Sequence, residues 1–172
     1  MQGESVRMEA RLGREERITA LLRERFGIDE IPEGYVLLSS ARKARLVSTE
    51  TLDFLDVASV AGVYVAKETP FGPHLSIEGS RLLGPLATKN VVEVDPEDVD
   101  AWMSGSDIEK GEVPGVEPGP VIVKSGEIYL GSGYYDGRRI RNMVSRARRS
   151  EQSQPLIDYT LRREKEERGE EF

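Results

Sequence analysis

VVEVDPEDVDAWMSGSDI (residues 91–108) and PGPVIVKSGEIYLGSG (residues 118–133) carry the reading that decides the fold. Residues 91–94 read as a strand. Asp95-Pro96-Glu97-Asp98 then opens a helix, with an acceptor at the N-cap, proline at the first helical position and acids in the first turn. The helix runs to about Met103, burying Val99 and either Trp102 or Met103, with Gly105 as its C-cap. Residues 112–119 are rich in Pro and Gly. In the second stretch, residues 121–123 and 128–130 flank the turn KSGE and predict a hairpin. Gly131 and Gly133 follow, suited to a bulge or a close backbone approach. The sum is a mostly β module.

Working outward, REERITALLRERF (residues 14–26) sets Ile18, Leu21, Leu22 and Phe26 on one helical face, and Gly27 ends that helix. Residues 35–38 and 45–47, joined by the polar turn SSARKA, predict a second hairpin. Ser48 is placed to cap a short helix through Leu55 that buries Leu52 and Leu55. Residues 57–66 have the composition of a buried strand. Pro70, Gly72 and Pro73 predict a loop holding His74, with Leu75 and Ile77 beyond it. Residues 82–87 are apolar but broken by Gly84-Pro85, giving a turn or a single helical turn. Leu156, Ile157 and Leu161 form a thin stripe in an otherwise polar end, predicting a helix or a frayed tail. The fold class is α+β: a small N-terminal α/β domain at 1–86, the mostly β module at 87–150 and a charged C-terminal extension at 151–172.

Composition removes several chemistries. Among 172 residues there is no Cys and one His. Thiolate metal sites, thiol nucleophiles and disulfides are excluded, and a histidine-rich metal centre or a Ser-His-Asp hydrolase is disfavoured. His74 reads as a surface or packing residue. The acids at 95–98 are explained by their place at a helix start. Gly131-Ser132-Gly133 is no dinucleotide fingerprint, because strand and turn continue through residues 134–137. The expectation is a soluble, cytoplasmic, non-enzymatic protein with no cofactor, no metal and no membrane partner.

A net charge of −7 argues at first against nucleic acid, but the charge is uneven. Residues 119–149 carry seven basic and two acidic side chains, while every flanking segment is acidic. Within them GRRIRNMVSRARR (residues 137–149) holds six arginines and no acid. Arginine presents a charged planar fork that matches phosphate oxygens, so the run predicts phosphate binding. The bland alternative is a solvated basic face, or one paired to the acidic C-terminal end. Tyr134 and Tyr135 precede the run; they are suited to stack bases, although one of two strand neighbours faces the core.

The two opening stretches, preceded by LLGPLATKN (residues 82–90) and followed by the arginine run, resemble a PUA domain. The match is closer to the C-terminal PUA-like module of Sun-family RNA cytosine-5 methyltransferases of the RsmF type. A small α/β domain followed by PUA is also similar to stand-alone ribosome-biogenesis proteins with a pre-PUA domain. Ser145 stands where the family's basic segment is expected to have proline. The resemblance implies a pre-PUA-like domain followed by a PUA-like β pseudo-barrel, with RNA as partner; it does not imply methylation, for which the family's catalytic cysteines are missing here.

On this reading the chain binds structured tRNA or rRNA in RNA modification or ribosome assembly. Arg138, Arg139, Arg141, Arg146, Arg148 and Arg149 contact phosphates, with Lys124 and Lys89 as additions; Asn142 reads a base edge or fixes the loop. An RNA-modifying enzyme or a ribosomal protein is a further candidate partner. The rival reading is a protein–protein adaptor, in which the arginines dock an acidic partner or the acids of 93–117 dock a basic one.

Overall fold

The computed structural model describes residues 2–54 and 62–149. Helix α1 (Gln2–Phe26) is longer than the periodic stretch that announces it, and it buries Ile18, Leu22 and Phe26. Gly27 ends it with φ +66°, its N–H donating to the Arg23 carbonyl at 2.9 Å. A Cβ at Gly27 would meet Thr88 Oγ1 at 1.9 Å, so both the turn and the packing demand glycine.

The first sheet is the antiparallel series β1 (Tyr35–Ser40), β2 (Lys43–Ser48), β3 (Val63–Thr69) and β4 (Gly72–Leu75). The first hairpin forms as its pattern predicts, over longer strands and a tighter Ala41-Arg42 turn. After β2 the expected helix is a 3-10 helix, Thr49–Phe54. There the Ser48 hydroxyl meets the Thr51 hydroxyl at 2.7 Å. Leu55 and the C-terminal extension lie outside the described residues.

Residues 72–75 correct an expectation, since they form a strand and not a loop. The Pro-Gly-Pro cluster marks a two-residue turn, Pro70-Phe71, and β4 lies at the sheet's edge. A proline that cannot donate is tolerated there. A second correction is helix α2 (Ile77–Leu83), whose start the sequence hides. Ser76 caps it by accepting from the Gly79 N–H at 2.9 Å. Gly79 and Ser80 are poor helix formers, but tertiary contact overrides them. A Cβ on Gly79 would stand 1.9 Å from the Val65 carbonyl, and Ser80 Oγ accepts from the Gly131 N–H at 2.9 Å.

The second sheet has the order β5-β7-β8-β9-β6 and curls into a half-barrel. Its strands are β5 (Val91–Glu93), β6 (Ile108–Glu109), β7 (Gly119–Ser125), β8 (Ile128–Tyr135) and β9 (Arg139–Asn142). β5 runs parallel to β7; the other pairings are antiparallel. Pro96–Asp98 is a 3-10 turn leading into α3 (Val99–Met103). The Asp95 side chain makes no capping hydrogen bond, so the proline and the acids, not the expected cap acceptor, mark this start. Trp102 is fully buried, while Val99 and Met103 pack at the core's margin.

Two hydrophobic cores result, and they interlock. Strand β7 explains why. Val121 and Val123 enter the half-barrel core with Trp102, whereas Ile122 points the other way into the core beneath the first sheet. A strand covered on both faces reads as continuous apolar sequence rather than as alternation. Across the seam, Ser132 Oγ accepts from the Leu75 N–H at 2.8 Å, and Arg25 donates to the Pro120 and Glu117 carbonyls, each at 2.6 Å.

Candidate nucleic-acid interface

The basic segment begins at the β8–β9 turn. Asp136 Oδ1 accepts the N–H groups of Arg138 (3.0 Å) and Arg139 (2.7 Å), and Gly137 takes φ +97°. These hydrogen bonds, then the nearby arginine charges, hold the Asp136 carboxyl below its usual range. The turn is therefore set by the chain that carries the arginines.

Along β9 the side chains alternate. Ile140 enters the core, and Arg139 and Arg141 stand on the outer face. Their acid partners are distant and exposed: Arg139 lies 3.9 Å from Asp107 and 4.0 Å from Asp136, and Arg141 3.9 Å from Asp136. Arg138 is more open and reaches Glu109 at 3.3 Å. Such pairs contribute little in water, leaving these forks available to a stronger anion.

Tyr134 is the cross-strand neighbour of Arg141. It half-covers itself against Phe71, ring centroids 5.4 Å apart and edge-on. Phe71 is 65% exposed at the tip of the β3–β4 turn. Nothing in the linear order signals that these two aromatic rings, 63 positions apart in the numbering, meet beside the arginines. An aromatic between two turn residues was the only available signal. Tyr135 is core, its hydroxyl donating toward the Gly111 and Gly137 carbonyls.

The remaining predicted residues divide. Asn142 spends its whole side chain on structure. Nδ2 donates to the Trp102 carbonyl (2.7 Å) and the Ser106 carbonyl (3.1 Å), and Oδ1 accepts from Val144 N–H (2.9 Å). Of its two sequence roles, fixing the loop is the one these bonds perform. Arg146 is exposed with no partner among the described residues, in the 3-10 turn Arg146–Arg148. Arg148 pairs with Glu78. Arg149 lies over Gly105 and donates to the Val144 carbonyl at 3.1 Å. Ser145 takes φ −61°, a value that a proline ring also adopts.

Lys124 and Lys89 are set apart from the arginines. Lys124 pairs with Glu93 at 3.7 Å and with the Tyr129 ring. Its register partner Tyr129 is five positions along β8 from Tyr134, about 17 Å. Lys89 is exposed, its N–H bonded to the Phe26 carbonyl beside the end of α1.

His74 is 4% exposed in β4, not in a loop. The Thr69 hydroxyl donates to the Gly72 carbonyl at 2.8 Å, so at 3.1 Å from His74 Nδ1 it accepts. That assignment leaves Nε2 a bare acceptor, buried and unpartnered. Burial first, and Lys67 after it, lower the His74 pKa against the opposing Gly72 hydrogen bond. A neutral folded histidine costs stability once the unfolded chain protonates. Stability is therefore complete above about pH 6.5 and falls as the pH drops below it toward the depressed folded pKa. Urea midpoints taken at neutral and mildly acid pH should diverge more in the wild type than in His74→Gln.

Among the described residues no cluster has metal-ligand composition, and no helix is long and apolar enough to cross a membrane. A five-stranded half-barrel with a short helix between its first two strands and a glycine-bearing hairpin is consistent with a PUA-like domain. Residues 89–150 match the family model described as the Methyltransferase RsmF PUA domain. That segment is thus similar to the C-terminal PUA module of RsmF. Among curated proteins none matches it.

Proposed function

We propose that the chain is a non-catalytic, cytoplasmic RNA-binding protein that takes structured tRNA or rRNA in RNA modification or ribosome assembly. The reading rests on one coincidence: a PUA domain, a fold that generally binds RNA, bears the arginine run on its last strand and the turn after it. Arg138, Arg139, Arg141 and Arg146 are the forks best placed to meet phosphates, with Arg148 and Arg149 beyond them. A phosphate replaces the long carboxylate contacts with shorter, bidentate, charge-assisted ones. The acidic remainder of the surface repels RNA offered in any other orientation.

With about four phosphate contacts to single-stranded RNA, log affinity falls against log salt with a slope of about −3. Fluorescence anisotropy on tRNA and rRNA fragments measures it, and a slope near zero removes RNA from the account. Exposed Glu93, Asp95, Glu97, Glu109, Glu112 and Glu117 favour a second reading, an adaptor that docks a basic protein. Pull-down after RNase treatment separates the two, because an adaptor keeps its partners.

A further inference from the structure

A cleft of about 400 Å³ opens at the seam of the two sheets, within the range of ligand sites. Tyr64 and Lys67 of β3, His74 of β4, Gly131 of β8, and Met143 and Arg148 of the basic segment line it. Its apolar wall is uncovered: Val63 and Met143 are 43% and 42% exposed. Cations surround it. Beyond Lys67 and Arg148, the Lys43 ammonium lies 5.9 Å from the Tyr64 ring centroid, and the Arg45 charge acts on the Tyr64 hydroxyl. Glu78, already paired to Arg148, is the acid among them.

His74 supplies an independent observation. Its Nε2 is the one buried side-chain nitrogen or oxygen among the described residues without a hydrogen-bond partner. Buried polar atoms left in that state are rare and need a physical reason. His74 lines the cleft, so a small displacement of its wall on binding would bring this buried acceptor within reach of a ligand N–H. The arginines give the direction of approach, because the chain runs from Arg139 and Arg141 on β9 straight into the cleft wall at Met143 to Arg148.

We infer that the seam cleft receives one unstacked nucleotide of the bound RNA, its base against Tyr64 and Met143 and its phosphate near Lys67 and Arg148. This rests on the RNA-binding reading, and it adds a site that neither sheet could form alone. Stacking on an aromatic ring with a cation nearby is how proteins hold single-stranded bases.

The test uses the full chain and a short oligouridylate containing 4-thiouridine. Photocrosslinks to wild type should map to Tyr64, His74 or Met143. Val63→Trp and Met143→Trp fill the cleft from exposed positions. They should abolish those crosslinks and weaken binding about tenfold, as expected for one lost nucleotide contact, with the salt slope reduced by no more than about one. Leu86→Trp, exposed and outside the cleft, should change neither. RNA binding with crosslinks confined to Phe71 and Tyr134, or unaffected by both cleft variants, overturns the inference and leaves the RNA reading standing. Failure of the wild type to bind any RNA overturns both.

Discussion

Replacing Arg138, Arg139 and Arg141 together by alanine is expected to reduce the salt slope from about −3 to about −1, and to weaken RNA binding roughly a hundredfold at about 0.1 M salt. The loss should be similar across RNA sequences, because phosphate contacts position the partner without reading it. The three side chains stand outside the core, on the turn and outer face of β9. The backbone N–H groups of residues 138 and 139 still bond Asp136 after truncation. The thermal midpoint should therefore stay within a few degrees of wild type, which separates a lost contact from a lost fold. A triple lysine variant should keep the slope and recover only part of the affinity, since it restores charge without the planar fork. An unchanged slope in the alanine variant removes these residues from the interface.

Trp102→Ala should be the most damaging single change to stability. The indole is fully buried, its Nε1 donates to the Leu130 carbonyl at 3.0 Å, and a Cβ on Gly133 would come within 2.8 Å of its ring. Truncation removes about 3–5 kcal/mol of burial and leaves a buried carbonyl unpaired. Against a total of about 5–15 kcal/mol this leaves the domain marginal, with the midpoint lowered by about 10 °C or more. Trp102→Phe keeps most of the volume and loses the hydrogen bond, so its cost should be markedly smaller. Differential scanning calorimetry measures both. Near-equal costs would mean that the hydrogen bond, and not the packing, holds α3 to β8.

Local signals were legible where a short stretch contains its own physical reason. Ile18, Leu22 and Phe26 announced the buried face of α1, and Asp95-Pro96 announced the turn into α3 even though Asp95 makes no cap bond. The seam was not legible, because its reasons lie far apart in the chain. Position 79 of α2 must be glycine because the Val65 carbonyl stands 1.9 Å from where a Cβ would be. Pro73 is in a strand because β4 has an unpaired edge. Asn142 reads from the sequence as a base reader or a loop residue, and two hydrogen bonds to the distant Trp102 and Ser106 carbonyls, with a local one from the Val144 N–H, commit it to the loop.

By itself the sequence determined the α+β class, the strand, turn and hairpin at 91–94, 95–103 and 121–130, and the concentration of arginine within an acidic chain, since each follows from composition or from spacing within a few residues; the PUA resemblance rests on the order of those stretches. Only the tertiary structure decided which arginines stand free, that Phe71 meets Tyr134, that Ile122 belongs to the other core, and that His74 is buried beside an open cleft. Those facts depend on which face of one sheet covers which face of the other. Strand alternation sets two faces, but what lies over each is decided by packing between residues remote in the chain.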